Sequence, residues 1–268
     1  MIEKFQKSKD LIEKLSNRLN ISTVIRYLKE REKDEGGFSF AIDLFPNIED
    51  TYYAIRTLEL LNAGVNRTNM MNYLKSINWG EINLPRTIYM LTYLHRSLNM
   101  EIPSHTIDFF KKGRSGHHTL DAQYYFDEVQ RLLNQPLKAD PFLPSIQFQE
   151  RETLKSLHKK ISVLLNHGID FNKEEVIRWV QWCQNGDGGF GFFPGTTSFM
   201  ENTYYAIEIL SKLCASPWEV HDCRELILGC QTKNGGFGRA PISFPFIEST
   251  FHAIAGLLLL EKMGGEEI

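Results

Sequence analysis

A glutamate recurs at the same place in three similar segments of the chain. Glu49, Glu201 and Glu248 each follow the phenylalanine of a Gly-Gly-Phe at the same interval, from 38 to 49, from 190 to 201 and from 237 to 248. Only Glu49 is followed by a second acid, Asp50. Two adjacent carboxyl groups can share one proton and titrate jointly, which suits a group that donates a proton to a substrate. Glu49 and Asp50 are therefore set apart from the other two copies as a pair of acids, and from the residues alone both a chemical and a structural role stay open.

The repetition of the glutamate also supports a structural role. A carboxylate beside the N-terminus of a helix is stabilised by roughly 0.3–1 kcal/mol through the helix dipole. A feature that three repeats share is more often part of the fold than of the chemistry. Glu201 and Glu248 are therefore open to a structural interpretation, whereas Glu49 is set apart by the acid that follows it.

Aromatic residues follow these glutamates and could line a cavity. Their rings attract cations electrostatically, so they could stabilise a carbocation. Adjacent residues project in different directions from a helix, so we expect about half of these rings to serve packing alone. The expected substrate-binding residues are Tyr52, Tyr53, Tyr124, Glu201, Tyr204, Tyr205, Arg239, Glu248, Phe251 and His252.

A repeated unit of two helices positions these residues. In each unit an apolar helix ends at a Gly-Gly, which lets the chain reverse through positive φ. A loop follows, and a second, more apolar helix begins near Asp50, Asn202 or Ser249, whose residue types favour the N-cap position. Neither helix can bury its apolar faces alone, so the units must stack on one another.

The second helices are predicted near residues 50, 86, 121, 151, 202 and 249. Six pairs of helices are enough to close a ring. An outer helix of the third unit is expected at 104–112, and 136–150, with three prolines, is the least regular stretch. Residues 1–19 are predicted to form a helix packed on the ring, and residues 20–268 to form a single domain of about six repeats. The basic loop at 111–118 could hold a diphosphate at a helix N-terminus or could be solvated.

The Gly-Gly-Phe-Gly turn, the Pro-Gly of its loop and the acid-x-Thr of the second helix resemble the repeat of the terpene cyclase and protein prenyltransferase superfamily. The resemblance covers most of the chain. It implies an all-α fold, an α/α toroid whose inner helices surround a cavity and place their N-termini at one mouth. It also implies an isoprenoid or another apolar small molecule in that cavity.

Protein prenyltransferases of this superfamily hold zinc through an Asp, a Cys and a His at the starts of two inner helices. Alignment on Gly-Gly-Phe places Phe199, Glu201 and Ser249 at those positions. They offer one carboxylate and one weak hydroxyl where strong ligands are needed. We therefore expect no zinc, no other metal site and no cofactor, although Mg²⁺ could accompany a diphosphate substrate.

Class II terpene cyclases protonate an alkene or an epoxide with the middle acid of Asp-x-Asp-Asp-Thr. The first repeat reads Asn47-Ile48-Glu49-Asp50-Thr51, so Glu49 stands at the position of that acid. The leading hypothesis is acid-initiated cyclisation by Glu49 and Asp50 at the mouth of an aromatic-lined cavity. One alternative is zinc-free prenyl transfer from a prenyl diphosphate. Another is a non-catalytic toroid that binds a lipid or a peptide, and a helical partner subunit is also compatible with the resemblance.

The composition is that of an ordinary globular protein. The 268 residues are 42% hydrophobic and 24% charged, and the net charge of −3 gives no electrostatic case for binding nucleic acid. The first residues lack the apolar core of a signal peptide, and the longest apolar run, 253–260, is too short to span a membrane. The four cysteines are typical of buried thiols. These features predict a cytoplasmic protein without a transmembrane segment.

Overall fold

The computed structural model describes residues 10–104, 106, 119–138 and 152–264 and gives them an almost entirely helical fold. Residues 10–16 are helical, and a 3₁₀ turn spans Trp79–Glu81. The longer helices are α1 Ile21–Lys29, α2 Ile48–Leu60, α3 Arg67–Ser76, α4 Pro85–Ser97, α5 Leu120–Leu132, α6 Leu154–Asn166, α7 Lys173–Trp182, α8 Met200–Lys212, α9 Val220–Gly229 and α10 Ile247–Met263.

Six of these helices form a closed inner ring. α2 packs on α4, α4 on α5, α5 on α6, α6 on α8, α8 on α10, and α10 packs back on α2. The prediction of six inner helices in an all-α toroid is confirmed. The fourth inner helix begins at Leu154, three residues later than the sequence indicated.

The two rings of helices differ in burial. α8 buries nine of its 13 residues and α10 buries ten of its 17. α7 and α9 each bury only two of their ten residues. A helix that is apolar on most of its faces must be surrounded by other elements, whereas a helix with one apolar stripe can face water.

The glycine turns seat each unit against the next outer helix. A Cβ on Gly188 would lie 2.2 Å from the backbone of Asp222 in α9, and a Cβ on Gly235 would lie 2.2 Å from the carbonyl oxygen of Thr23 in α1. Both glycines also have positive φ, +83° and +97°. The last turn thus packs on the first outer helix, which closes the outer ring as well.

The three predicted N-cap residues are not caps. α2, α8 and α10 begin two residues before Asp50, Asn202 and Ser249, respectively, so each of these residues occupies the third helical position. Asn47 caps α2 by accepting a hydrogen bond from the Asp50 amide at 2.8 Å. The cap prediction was wrong because a contact between the helix start and the glycine turn fixes where each helix begins.

That contact is made by the repeated threonine. Thr51, Thr203 and Thr250 accept hydrogen bonds at 2.9–3.1 Å from the amides of Phe38, Phe190 and Phe237, respectively. Each hydroxyl also donates to the carbonyl oxygen four residues before it. A buried amide is thereby satisfied, and the turn phenylalanine is fixed in the core, fully buried in all three units.

The N-terminal segment lies against the ring. Leu15 is fully buried, and Arg18 lies 3.6 Å from Glu261 of α10. The domain division at residue 19 stays a prediction. The helix expected at 104–112, the basic loop 111–118 and the segment 136–150 fall wholly or mostly outside the described residues. Within the described part of the chain, no helix is long and apolar enough to cross a membrane.

Candidate functional site

Three adjoining cavities follow one another along the inner ring. The lumen, between the inner helices, has a volume of about 200 Å³. The mouth pocket, at the N-terminal ends of these helices, measures about 300 Å³ and shares Tyr205 and His252 with the lumen. A groove of about 480 Å³ lies at their C-terminal ends and shares Arg56, Tyr204 and Glu208 with the lumen.

The predicted binding residues divide between the lumen and the mouth pocket. The lumen is lined by Tyr52, Tyr53, Tyr124, Tyr204, Tyr205, Phe251 and His252. The mouth pocket is lined by Glu49, Asp50, Glu201, Arg239 and Glu248, together with Tyr205 and His252. The structure therefore brings the whole predicted set into two adjoining cavities, and the roles of its members stay proposals.

The expectation that half of the paired aromatic rings serve packing alone was wrong. Tyr52 meets Tyr89 of α4 at 5.7 Å between ring centroids, while Tyr53 meets Phe251 of α10 at 5.3 Å. Both members of the pair line the lumen, as do Tyr204 and Tyr205. Adjacent residues on a helix point in different directions. Because α2 has an inner helix on each side, Tyr52 contacts one of these helices and Tyr53 contacts the other.

The recurring glutamates pair with arginines of other units. Glu49 of α2 forms an ion pair with Arg86 of α4, and Glu248 of α10 lies 4.0 Å from the same guanidinium. Glu201 of α8 forms an ion pair with Arg239. These contacts join neighbouring units at the mouth, which agrees with the structural interpretation of the glutamates.

Asp50 faces different partners from Glu49. One of its carboxylate oxygens accepts hydrogen bonds from the Phe40 amide at 3.0 Å and from Asn47 Nδ2 at 2.6 Å. Burial raises the pKa of Asp50 even though these hydrogen bonds act in the opposite direction. The raised pKa makes Asp50 suited to hold a proton.

The lumen is more highly charged than the apolar helix pattern suggested. Besides seven tyrosines it is lined by Arg56, Arg86, Arg131, Lys159, Lys212, Glu128 and Glu208. Most of the cations have a carboxylate close by. Arg86 pairs with Glu49, Lys159 with Asp121, Arg131 lies 3.9 Å from Glu128, and Lys212 lies 3.0 Å from Glu208.

Arg56 differs from the other lumen cations. Among the residues that the structure describes, no carboxylate lies within 4.0 Å of its guanidinium. Arg56 donates a hydrogen bond to the Tyr52 hydroxyl at 2.8 Å, and its guanidinium lies 4.4 Å from the centroid of the Phe251 ring. An enclosed cation that no carboxylate contacts is better stabilised when a ligand supplies a negative charge next to it.

Arg56 and Glu208 were not predicted from the sequence, although a signal for them was present. Both lie seven residues after a repeated glutamate, at 49 to 56 and 201 to 208, inside otherwise apolar helices. Glu208 lies 3.0 Å from both His158 Nε2 and Lys212 Nζ. Although burial acts in the opposite direction, these two neighbours hold the pKa of Glu208 well below its ordinary value.

His252 contributes a neutral ring to the lumen. It stacks on Tyr204 with 4.8 Å between the ring centroids, and burial lowers the pKa of His252 to about 3. At neutral pH this histidine is therefore uncharged and acts as an aromatic surface. His252 and Glu201 both line the mouth pocket, where Glu201 forms an ion pair with Arg239.

The residues at the zinc-equivalent positions are Phe199, Glu201 and Ser249. Glu201 is engaged by Arg239, and the described residues contain no group of three or more His, Cys, Asp or Glu residues that could hold a metal ion. The expected absence of zinc stays a prediction.

The rim of the mouth exposes several apolar side chains. Phe45, Ile242 and Phe244 lie in the loops that lead into α2 and α10 and are at least 86% exposed. The two loops meet where Phe40 and Phe246 contact each other, with 5.7 Å between ring centroids. A helical partner subunit stays a prediction.

Comparison with known protein families agrees with this architecture. A family model described as the prenyltransferase alpha-alpha toroid domain matches residues 6–82, 121–220 and 209–265. No curated protein sequence is similar enough to match the chain. Because the matched segments cover well over half of the sequence, the chain belongs to the prenyltransferase α/α-toroid domain family.

Proposed function

We propose that this toroid binds a prenyl diphosphate and holds the diphosphate in the lumen at Arg56. The observation that carries the proposal is the absence of a carboxylate within 4.0 Å of Arg56 among the described residues, in a lumen where the other cations have one nearby. A diphosphate would supply the missing negative charge, and a guanidinium binds phosphate oxygens through paired hydrogen bonds.

Tyrosine hydroxyls surround the same point and can add neutral donors. The hydroxyl oxygens of Tyr52 and Tyr89 lie 3.0 Å apart, and the Tyr52 hydroxyl accepts a hydrogen bond from Arg56. Burial raises the pKa of Tyr89 well above its ordinary value, so its hydroxyl keeps its proton. A protonated phenol can donate to a phosphate oxygen, whereas a phenolate would repel it.

The reaction that fits these groups is zinc-free prenyl transfer. The bond between the allylic carbon and the diphosphate oxygen breaks, its electron pair leaves with the diphosphate, and the carbon joins an acceptor that releases a proton. Arg56 and the tyrosine hydroxyls would stabilise the leaving diphosphate. The rings of Tyr204 and Phe251 would stabilise the allylic cation.

Titration calorimetry of the full chain with inorganic pyrophosphate, farnesyl diphosphate and farnesol tests this proposal, with and without Mg²⁺. We expect both diphosphates to bind, and Arg56→Met to weaken both by about tenfold or more, since a hydrogen bond to a charged group contributes about 1.5–3 kcal/mol.

Arg239→Met is the matched change in the mouth pocket, and we expect it to leave diphosphate binding nearly unchanged. Loss of binding in Arg239→Met with full binding in Arg56→Met would place the diphosphate at the mouth and contradict the proposal. Failure of the wild-type chain to bind either diphosphate would also overturn it.

A second candidate is acid-initiated cyclisation, with Asp50 as the proton donor and Glu49 beside it. The observation in its favour is that burial raises the pKa of Asp50, which lines a pocket adjoining the aromatic lumen. This candidate comes second because it gives no role to Arg56, which has no carboxylate within 4.0 Å among the described residues. Asp50→Asn would abolish cyclase activity but leave prenyl transfer intact. A non-catalytic toroid would bind isoprenoids and form no product, both in the wild type and in Asp50→Asn.

A further inference from the structure

Three polar side chains of α6 and α8 form a cluster in the wall of the lumen. The Nε2 atom of His158 lies 3.0 Å from Glu208 Oε2, and Lys212 Nζ lies 3.0 Å from the other oxygen of this carboxylate. All three residues line the lumen, and the side chain of His158 is only 5% exposed. The proposed function gives none of them a role.

The surroundings of His158 favour one form of its ring. Although burial acts in the opposite direction, His158 and Lys212 hold the pKa of Glu208 well below its ordinary value, so Glu208 is ionised. A carboxylate oxygen 3.0 Å from a ring nitrogen favours a proton on that nitrogen, Nε2. Lys212 Nζ also lies 3.2 Å from Nε2, but its protons have acceptors in Glu208 and in Ser162 Oγ, at 2.8 Å. The lone pair of the ring is then on Nδ1, which has no hydrogen-bond partner among the residues that the structure describes.

The ring of His158 is also neutral at pH 7. Burial lowers the pKa of His158, and the charges of Lys212 and Lys159 act in the same direction, although Glu208 opposes them. A neutral imidazole with a free lone pair can take up a proton, and a carboxylate beside it stabilises the imidazolium ion that forms. His158 and Glu208 thus have the composition of a general base and the residue that positions it.

His158 lies across the inner ring from Arg56. Two inner helices separate α2 from α6 in either direction, α4 and α5 on one side and α8 and α10 on the other. Tyr204 of α8 and Phe251 of α10, whose rings would stabilise the allylic cation, contact each other with 5.7 Å between ring centroids. A leaving group at α2 and a nucleophile at α6 would therefore approach the reacting carbon from opposite sides, as a direct displacement requires.

We infer that His158 is the general base of the transfer and that Glu208 positions it. The acceptor lies on the α6 side of the lumen, and its lone pair forms a bond to the allylic carbon as the bond to the diphosphate oxygen breaks. Its proton passes to Nδ1 of His158, and the electron pair of the broken bond leaves with the diphosphate at Arg56. The acceptor is therefore a neutral hydroxyl compound, a phenol or an alcohol, which needs a base to become a good nucleophile. This inference rests on the proposed function, because Arg56 fixes the leaving group.

The test compares phenol and thiophenol as acceptors of the farnesyl group of farnesyl diphosphate, with the full chain at pH 8. Phenol is neutral at this pH and needs a base, whereas thiophenol is largely a thiolate and does not. We expect His158→Gln to lower the rate of transfer to phenol by about 10²-fold or more, the usual contribution of a general base, and to leave transfer to thiophenol nearly unchanged. Equal losses with both acceptors, or no loss with either, would overturn the inference.

Glu208→Gln should show the same split between the two acceptors, because it removes the charge that stabilises the imidazolium ion. A loss of both rates in this variant would contradict its positioning role. His95→Gln is the control, since His95 is also a buried histidine of an inner helix but does not line the lumen. It should leave both rates close to those of the wild type, and a loss as large as that of His158→Gln would contradict the role of His158.

Nitrogen-15 NMR of the wild type tests the form of the ring directly. At pH 7 we expect the ring of His158 to carry its proton on Nε2 alone. A ring protonated on Nδ1, or on both nitrogens, would leave no lone pair at Nδ1 for the acceptor's proton and would overturn the inference.

The two proposals fail in different ways. If farnesyl diphosphate does not bind, or binds without Arg56, the proposed function is wrong and the inference falls with it. If it binds through Arg56 and His158→Gln transfers to phenol as fast as the wild type, the proposed function stands and His158 is not the base. Transfer to thiophenol but not to phenol by the wild type would contradict the assignment of a hydroxyl acceptor.

Discussion

Seven residues after the repeated glutamate, three units carry three different side chains, Arg56, Glu208 and Ala255. The first two line the lumen, and all three line the groove. They occupy equivalent positions of the repeated inner helix, so the backbone directs each of them to an equivalent point of its unit. The difference between their side chains gives a symmetric ring a chemically asymmetric interior.

At this scale the sequence could predict positions but not partners. The interval from Gly-Gly-Phe placed Glu49, Glu201 and Glu248 at the mouth, where the structure has them. It could not show which arginines pair with them, because Arg86 lies 37 positions after Glu49 and Arg239 lies 38 positions after Glu201, in other units. Ion pairs across units depend on how the units stack.

The two lumen glutamates should respond oppositely to pH. His158 and Lys212 hold the pKa of Glu208 well below its ordinary value of 4.5, against the effect of burial. Its contribution to stability is therefore present above 4.5 and is lost as the pH falls. Glu208→Gln should therefore cost about 3 kcal/mol or more at pH 7, because it leaves buried partners unpaired, and much less in acid. Urea unfolding at pH 7 and in mild acid measures the difference.

Glu128→Gln is the matched comparison. Burial raises the pKa of Glu128, so the stability from this group is present below 4.5 and is lost as the pH rises through the folded value. This variant should cost little at pH 7 and should flatten the pH dependence in that window. Equal pH profiles for the two variants would contradict the charge assignment of the lumen.

At the scale of the elements, a threonine joins each inner helix to the preceding glycine turn. The sequence predicted both helices of the unit and the turn between them, yet it misplaced the starts of α2, α8 and α10 by two residues. N-cap preference is a local property, whereas the bond from the Phe190 amide to Thr203 spans 13 residues. The nonlocal hydrogen bond determines the residue at which the helix begins.

Thr203→Val should lower the free energy of unfolding by about 1–3 kcal/mol, because it leaves the buried Phe190 amide without a partner. Thr57→Val is a suitable control. Both threonines are fully buried and donate to a carbonyl four residues earlier, but among the residues that the structure describes no amide donates to the Thr57 hydroxyl. Denaturant unfolding should show a clearly smaller loss for Thr57→Val, and equal losses would show that the bond to the turn contributes nothing.

At the scale of the whole molecule, the ring is closed twice. α10 packs on α2 in the inner ring, and the last glycine turn packs on α1 in the outer ring. The repeats in the sequence predicted a closed ring because six units with similar packing faces leave no unpaired end. The unequal chemistry of the two ends of the lumen was not predictable, since it depends on which side chains of different units meet.

Gly235→Ala tests the outer closure. The added Cβ would lie 2.2 Å from the Thr23 carbonyl oxygen, and the residue would also be held at a φ of +97°. Gly195→Ala carries a similar φ of +78°, but within the described part of the chain its Cβ would meet no atom within 4 Å. It should therefore cost only the backbone strain of about 1–2 kcal/mol. Thermal unfolding should show a clearly larger loss for Gly235→Ala, and equal losses would contradict tight packing of the last turn on α1.

The most direct measurement of the central claim is a crystal structure of the full chain with a non-hydrolysable farnesyl diphosphate analogue. We predict phosphate oxygens at about 2.7–2.9 Å from the guanidinium of Arg56, the distance of a charge-assisted hydrogen bond. A diphosphate bound instead at Arg86 or Arg239, with the farnesyl chain reaching into the lumen from the mouth, would contradict the account.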